Sequence, residues 1–178
     1  MIYNQSEINT ALQQQAKAFA SYIEPMEATA FETMPGGKWS AGQHLDHLIR
    51  SIKPVNLALT VPTFYLSYKF GKNNRNGRTY DELVQRYHEK LEAGGKATGE
   101  FVPPSIGFHQ KKGSLSTFAR QYEKLGKKAL NMSDSKLDTY LVPHPLLGKV
   151  TLREILFFTI FHTQVHLDIL KNREVPIC

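Results

Sequence analysis

The sequence predicts an all-α protein, an up-down four-helix bundle with a short extra helix and long loops. Three observations carry that prediction. Apolar residues recur at spacings of three and four, capping-box signatures precede several of those runs, and no stretch alternates apolar and polar residues as a half-buried strand would.

The elements follow in order. Asn4 and Glu7 form a capping box, with Tyr3 and Ile8 at the staple positions, and Ile8, Leu12, Ala16, Phe19 and Ile23 then repeat at helical spacing as far as Pro25. After a loop ending in Pro35-Gly36-Gly37, Ser40 and Gln43 make a second box. It opens a helix striped by Leu45, Leu48, Ile52, Val55 and Leu59, which Pro54 and Pro62 should kink or end. Thr79 and Glu82 open the short extra helix around Leu83 to Leu91, and Gly94 to Gly113 reads as an irregular excursion. Leu115, Phe118, Ala119, Tyr122 and Leu125 mark a third long helix running to about Met132. The last helix carries the clearest signals: a box at Thr151 and Glu154, a staple at Val150 and Ile155, and a stop at Asn172 followed by Pro176. It is apolar on every side from Ile155 to Ile160, which predicts a central helix surrounded by protein.

A chain of 178 residues fits one domain, 1–178, large enough to bury a continuous core. No apolar run approaches the roughly 18 residues that cross a bilayer, and no signal pattern opens the sequence, so a cytoplasmic location is expected. The single cysteine, Cys178, excludes an intramolecular disulfide. A net charge of +6 raises the question of nucleic acid, but basic and acidic residues are interleaved. The densest basic stretch, Lys69 to Arg78, is rich in Gly and Asn and reads as a solvated loop, with an anion-attracting lip over a pocket as the sharper alternative. Neither a nucleic-acid partner nor a membrane partner is expected.

Function is concentrated in His162 and His166. At i and i+4 of the central helix, both imidazoles reach one point in space, and they lie on the stripe with Leu152, Thr159 and Ile169 where core side chains point. Buried imidazoles need partners, and a transition ion would satisfy both, since nitrogen donors suit zinc, nickel, copper or iron. Hydrogen bonds to a neighbouring helix are the alternative. A third ligand must come from a facing helix, where the second helix offers His44 and His47. At about 100° per residue, His44 lies nearer the centre of the apolar stripe and His47 towards its flank, beside Ser51, Pro54 and Ala58. The wheel therefore favours His44, although the small-residue flank of His47 could itself pack against a second helix, and His44 also occupies the staple position opposite Trp39, where a ring can simply stack.

Taken together, Trp39-Ser40-Ala41-Gly42-Gln43-His44-Leu45-Asp46-His47-Leu48, the segment His144 to Glu154 and His162-Thr163-Gln164-Val165-His166 resemble the DinB superfamily of metal-dependent proteins. The resemblance spans nearly the whole chain. It implies an up-down four-helix bundle holding a divalent metal, nickel or zinc, on three histidines. Carried over by motif position, these are His47, His162 and His166, so the resemblance and the wheel differ over His47. Three neutral imidazoles leave at least one coordination position open for a water or a substrate thiolate.

The resemblance further implies a metal-dependent enzyme, thiol S-transferase-like or hydrolase-like, acting on a small-molecule substrate. Some relatives transfer low-molecular-weight thiols, and a related branch isomerises maleylpyruvate with a thiol cofactor. The alternative is a non-catalytic metal- or ligand-binding stress-response bundle. The sequence assigns no catalytic residue beyond the metal ligands. His144 reads as a turn residue bonding locally, with the cavity mouth as the sharper reading, and Asp46 and Asp168 face away from the neighbouring ligands. His88 and His109 read as surface and loop residues. Val61, Phe64, Tyr65, Leu66, Tyr68 and Phe70 offer more apolar surface than a bundle core needs, and with the resemblance they suggest a homodimer.

Overall fold

A computed structural model describes residues 4–172, so Tyr3, Pro176 and Cys178 lie outside the described residues. Four long helices dominate: α1 (Gln5–Ile23), α3 (Ala41–Ala58), α6 (Lys111–Leu130) and α8 (Leu152–Lys171). The shorter ones are α2 (Ala28–Glu32), α4 (Thr63–Phe70), α5 (Tyr80–Glu92) and α7 (Asp134–Thr139). All four predicted capping boxes form, at Asn4, Ser40, Thr79 and Thr151, each satisfying backbone donors that a helix start leaves unpaired.

Each of α1 and α3 packs on both α6 and α8, which closes the bundle. Cross-helix hydrogen bonds give the directions. Gln5 at the start of α1 reaches Met132 just past the end of α6, and Gln13 reaches Tyr122 within it, so these two helices are antiparallel. Tyr22, near the end of α1, bonds Leu170, near the end of α8. Asn56 reaches Gln121 while Lys128 reaches Thr60, so α3 and α6 run the same way, and the pairs His44–His166 and His47–His162 set α3 against α8. The bundle is the one the sequence predicts, but its long helices run up, down, down, up. The physical reason is the connection from 59 to 110: with α4 and α5 inside it, the chain is long enough to return to the starting end of α3 before α6 begins.

Some elements differ from the sequence reading. Phe64, Tyr65, Leu66, Tyr68 and Phe70 lie on the separate helix α4, which begins after Pro62, while Val61 lies in the link from α3, and Leu66 packs into the core. The predicted excursion contains 3-10 turns at Gly99–Phe101 and Phe108–Gln110, and α6 takes Gly113 into its first turn. A two-stranded hairpin, β1 (Leu141–His144) and β2 (Gly148–Thr151), was not predicted. Four-residue strands are too short to show alternation, and Pro143 argues against one. Gly148, at φ 73°, accepts the left-handed conformation that the turn requires. Thr151 ends β2 and caps α8, so the hairpin fixes where the last helix begins.

The basic loop is solvated at Lys69, Lys72, Asn74, Asn76 and Gly77 as predicted, but Arg75 and Arg78 turn inward. Arg75 forms two bonds of 2.7 Å to the carboxylate of Glu154, Arg78 adds its guanidinium and its backbone N–H, and Glu154 is fully buried. The same carboxylate accepts from Thr151 N–H as the capping-box partner. Burial alone would raise its pKa, but the bonds from Arg75, Arg78 and Thr151 hold it below the ordinary carboxylate value. An acid chosen by the sequence to cap α8 thus also ties the 72–79 loop to the core. From Glu154 to Ile160 every residue of α8 is buried, as its all-round apolar character predicts.

Candidate metal centre

His44 and His47 occupy the first two turns of α3. Their placement starts at the capping box, where Ser40 and Gln43 bond reciprocally, and at the staple, where the Trp39 ring meets His44 edge-on at 5.7 Å. Gly42 lets the start of this helix press against the Phe31 ring, since an added Cβ would stand 2.8 Å from it. Because α3 packs on two helices, its buried face is wide enough to include both histidines. The flank beside Ser51, which the helical wheel sets aside, is the side that meets α8.

Three ring nitrogens converge between α3 and α8. His162 Nε2 lies 3.1 Å from His47 Nε2 and 3.0 Å from His166 Nε2, and one ligand atom from each of these three buried residues lies within 4.8 Å of the others. The tautomer of His47 follows from its other nitrogen. Nδ1 stands 2.7 Å from the carbonyl oxygen of Phe101, and a carbonyl can only accept, so Nδ1 carries the proton and Nε2 of the neutral ring presents a bare lone pair. His44 stays outside the convergence and places its Nδ1 2.6 Å from Nδ1 of His166.

The 3-10 turn that supplies the Phe101 carbonyl is fastened to α3 a second time, by Arg50 to the carbonyl of Glu100. Arg50 in turn pairs with Asp46. The acid next to His47 therefore supports the ligand through Arg50, and its charge favours the protonated form of His47 less than burial disfavours it.

Burial favours the neutral form of His47 and His162. Burial lowers the pKa of His47, partly offset by the bond to Phe101. His162 is held well below its ordinary value, first by burial and then by the neighbouring His47, His144 and His44. A donor set of neutral imidazoles with converging nitrogens suits a divalent transition ion.

The histidines form the base of a cavity of about 810 Å³ with a predominantly apolar wall that includes Val55, Leu66, Tyr87 and Phe158. Exposed Lys69, Lys96 and Glu100 stand along it. His144 is also on the wall. Its Nδ1 accepts backbone N–H bonds from Leu146 and Leu147 at 3.2 and 3.1 Å, so its proton sits on Nε2, and burial lowers its pKa to about 4. The ring packs on Phe158, which stacks in turn on His162. Both readings of His144 from the sequence thus meet in one residue: it organises the hairpin turn and lines the cavity.

The family model of the DinB superfamily matches residues 11–170. The chain belongs to the DinB superfamily. Among solved structures it is similar to YfiT from Bacillus subtilis, described as a probable metal-dependent hydrolase with an unusual four-helix bundle topology. The identity is 18%, the match covers 96% of this chain and 87% of that one, and the TM-score is 0.58. No curated protein matches the sequence.

This DinB protein brings together His47, His162 and His166 from the sequence reading, with His44 and His144 at their margins. It leaves His88 and His109 exposed and away from the cluster. Asp168 accepts a bond from Gln164 on its own helix. Sequence reasoning missed Phe101, whose carbonyl fixes His47. A backbone oxygen has no residue-type signature, and only the Gly99–Phe101 turn beneath α3 reveals it. No helix among the described residues is long and apolar enough to cross a membrane.

Proposed function

We propose that the protein is a metal-dependent enzyme that holds one nickel or zinc ion on His47, His162 and His166 and acts on a small apolar molecule in the adjoining cavity. The observation that carries this reading is the convergence of three buried ring nitrogens at the base of a cavity open enough to admit a substrate. An ion held there would supply a Lewis acid able to acidify a thiol or a water and to polarise a carbonyl.

The chain's own residues supply the rest. His47 and its carbonyl partner keep one lone pair aimed at the convergence, and the apolar wall excludes bulk water from the reacting groups. His144 offers an N–H to an acceptor oxygen of the substrate, and its low pKa keeps it neutral at physiological pH. In the transferase form of the reaction, the sulfur of a small thiol bonds to an electrophilic carbon as the bond from that carbon to the leaving group breaks, and the thiol's proton passes through solvent to the departing group. In the hydrolase form, water adds to an ester or amide carbonyl instead, the acyl C–O or C–N bond breaks, and the alcohol or amine departs with a proton from the water.

A non-catalytic binding bundle is the second reading, and the mainly apolar wall is what favours it. A nucleic-acid role is not proposed, since Arg75, Arg78 and Arg153 are committed to Glu154, Asp134 and Asp138. The test is a parallel screen of nickel- and zinc-loaded protein against a panel of small thiols with an electrophile, and against thiol-free esters. Turnover in either arm that is lost in His166→Ala supports the enzyme and names its class. Inactivity in both arms with the metal bound supports the binding bundle.

A further inference from the structure

The pairing of His44 with His166 has a direction that the ligand geometry imposes. His166 turns Nε2 towards His162 at 3.0 Å, into the convergence, and Nδ1 towards His44. If Nε2 is to offer a lone pair to a metal, the single proton of the neutral ring must sit on Nδ1. That proton then points at His44 Nδ1, only 2.6 Å away, which must accept it. We infer that His44 is a positioning residue for the metal centre: its Nδ1 accepts from His166 Nδ1–H, fixing the tautomer and rotation of that ligand ring.

The surroundings of His44 suit this role. The residue is only 3% exposed, sits one turn into α3 behind the Ser40–Gln43 box, and is flanked by the Trp39 ring, which also lies parallel to the His166 ring at 6.3 Å. Its ring therefore has little freedom to turn away. The arrangement repeats what the Phe101 carbonyl does for His47, with an imidazole nitrogen as the acceptor. Outer partners of this kind raise ligand basicity, and their loss typically weakens metal binding by about 10- to 100-fold. His44 is thereby distinguished from a ligand: its removal weakens the site, whereas removal of a ligand abolishes it.

The inference rests on the three-histidine reading above, and one experiment separates their failures. Zinc affinity and stoichiometry are measured by competition with a chromophoric chelator for the wild type, His44→Leu, His44→Asn and His47→Ala, with circular dichroism as the check of folding. Asn places its side-chain oxygen near the position of Nδ1 and can accept the same proton. The expected result is about 10- to 100-fold weaker binding in His44→Leu at unchanged stoichiometry, recovery of most of that loss in His44→Asn, and no binding in His47→Ala. Wild-type affinity in His44→Leu, or no recovery in a folded His44→Asn, overturns the inference. Complete loss of zinc in both His44 variants overturns it differently, by making His44 a ligand. Wild-type binding in His47→Ala would instead overturn the three-histidine site itself.

Discussion

His144 accepts two backbone N–H bonds from Leu146 and Leu147 through Nδ1, so the residue that shapes the hairpin turn carries its proton on Nε2, and it also lines the cavity. The donor and the turn are one structure, and each constrains the other.

The first prediction concerns pH. Burial lowers the pKa of His144 to about 4 in the folded protein, against 6.5 for the ordinary side chain. The unfolded chain therefore binds this proton more tightly, and the stabilisation from keeping His144 neutral is full above pH 6.5. It is lost progressively as pH falls through 6.5 towards 4, reaching ~3 kcal/mol, with the lowered values of His47 and His162 acting in the same direction. Urea denaturation of the metal-free protein at pH 7, 5.5 and 4.5 checks this, with NMR titration of the His144 ring as the direct readout. A His144 ring that titrates near 6.5 contradicts it.

A second prediction tests the tie between the basic loop and the last helix. Glu154→Ala leaves Arg75 and Arg78 without their carboxylate and removes the acceptor for Thr151 N–H, so a loss of about 3 kcal/mol is expected. The double variant Glu154→Ala/Arg75→Ala should lose less than the sum of the single changes, because the two residues share one interaction. Additive losses in chemical denaturation would show that the pair is not coupled.

Assembly gives a third. Leu57, Phe64 and Tyr68 are 64%, 76% and 89% exposed around α4, and we propose that this surface pairs two copies of the chain. Light scattering at micromolar concentration should give twice the chain mass, falling to one chain in Phe64→Lys/Tyr68→Lys. A wild-type monomer under those conditions rules the pairing out.

Much of this molecule is legible in its sequence because helix starts and apolar stripes are local signals. The boxes at Ser40 and Thr151 alone place the helices that carry every histidine of the cluster. What local signals cannot carry is long-range pairing. His44 and His47 differ by less than one turn, and the stripe of α3 cannot say which of them faces His162, since that depends on the direction of α8 against it. Arg75 looks solvated until the fold brings Glu154 from 79 residues away. The hairpin is hidden for another reason: its strands are stabilised by Val142 and Val150 packing into the core, not by any pattern four residues long.

We propose that His47, His162 and His166 together hold one divalent ion. Nickel or zinc titrated into the metal-free protein by calorimetry, followed by metal analysis of the gel-filtered product, tests it most directly. About one ion per chain is expected in the wild type and none in His47→Ala or in the double variant His162→Ala/His166→Ala, each folded by circular dichroism. Wild-type stoichiometry and affinity in the double variant would contradict it.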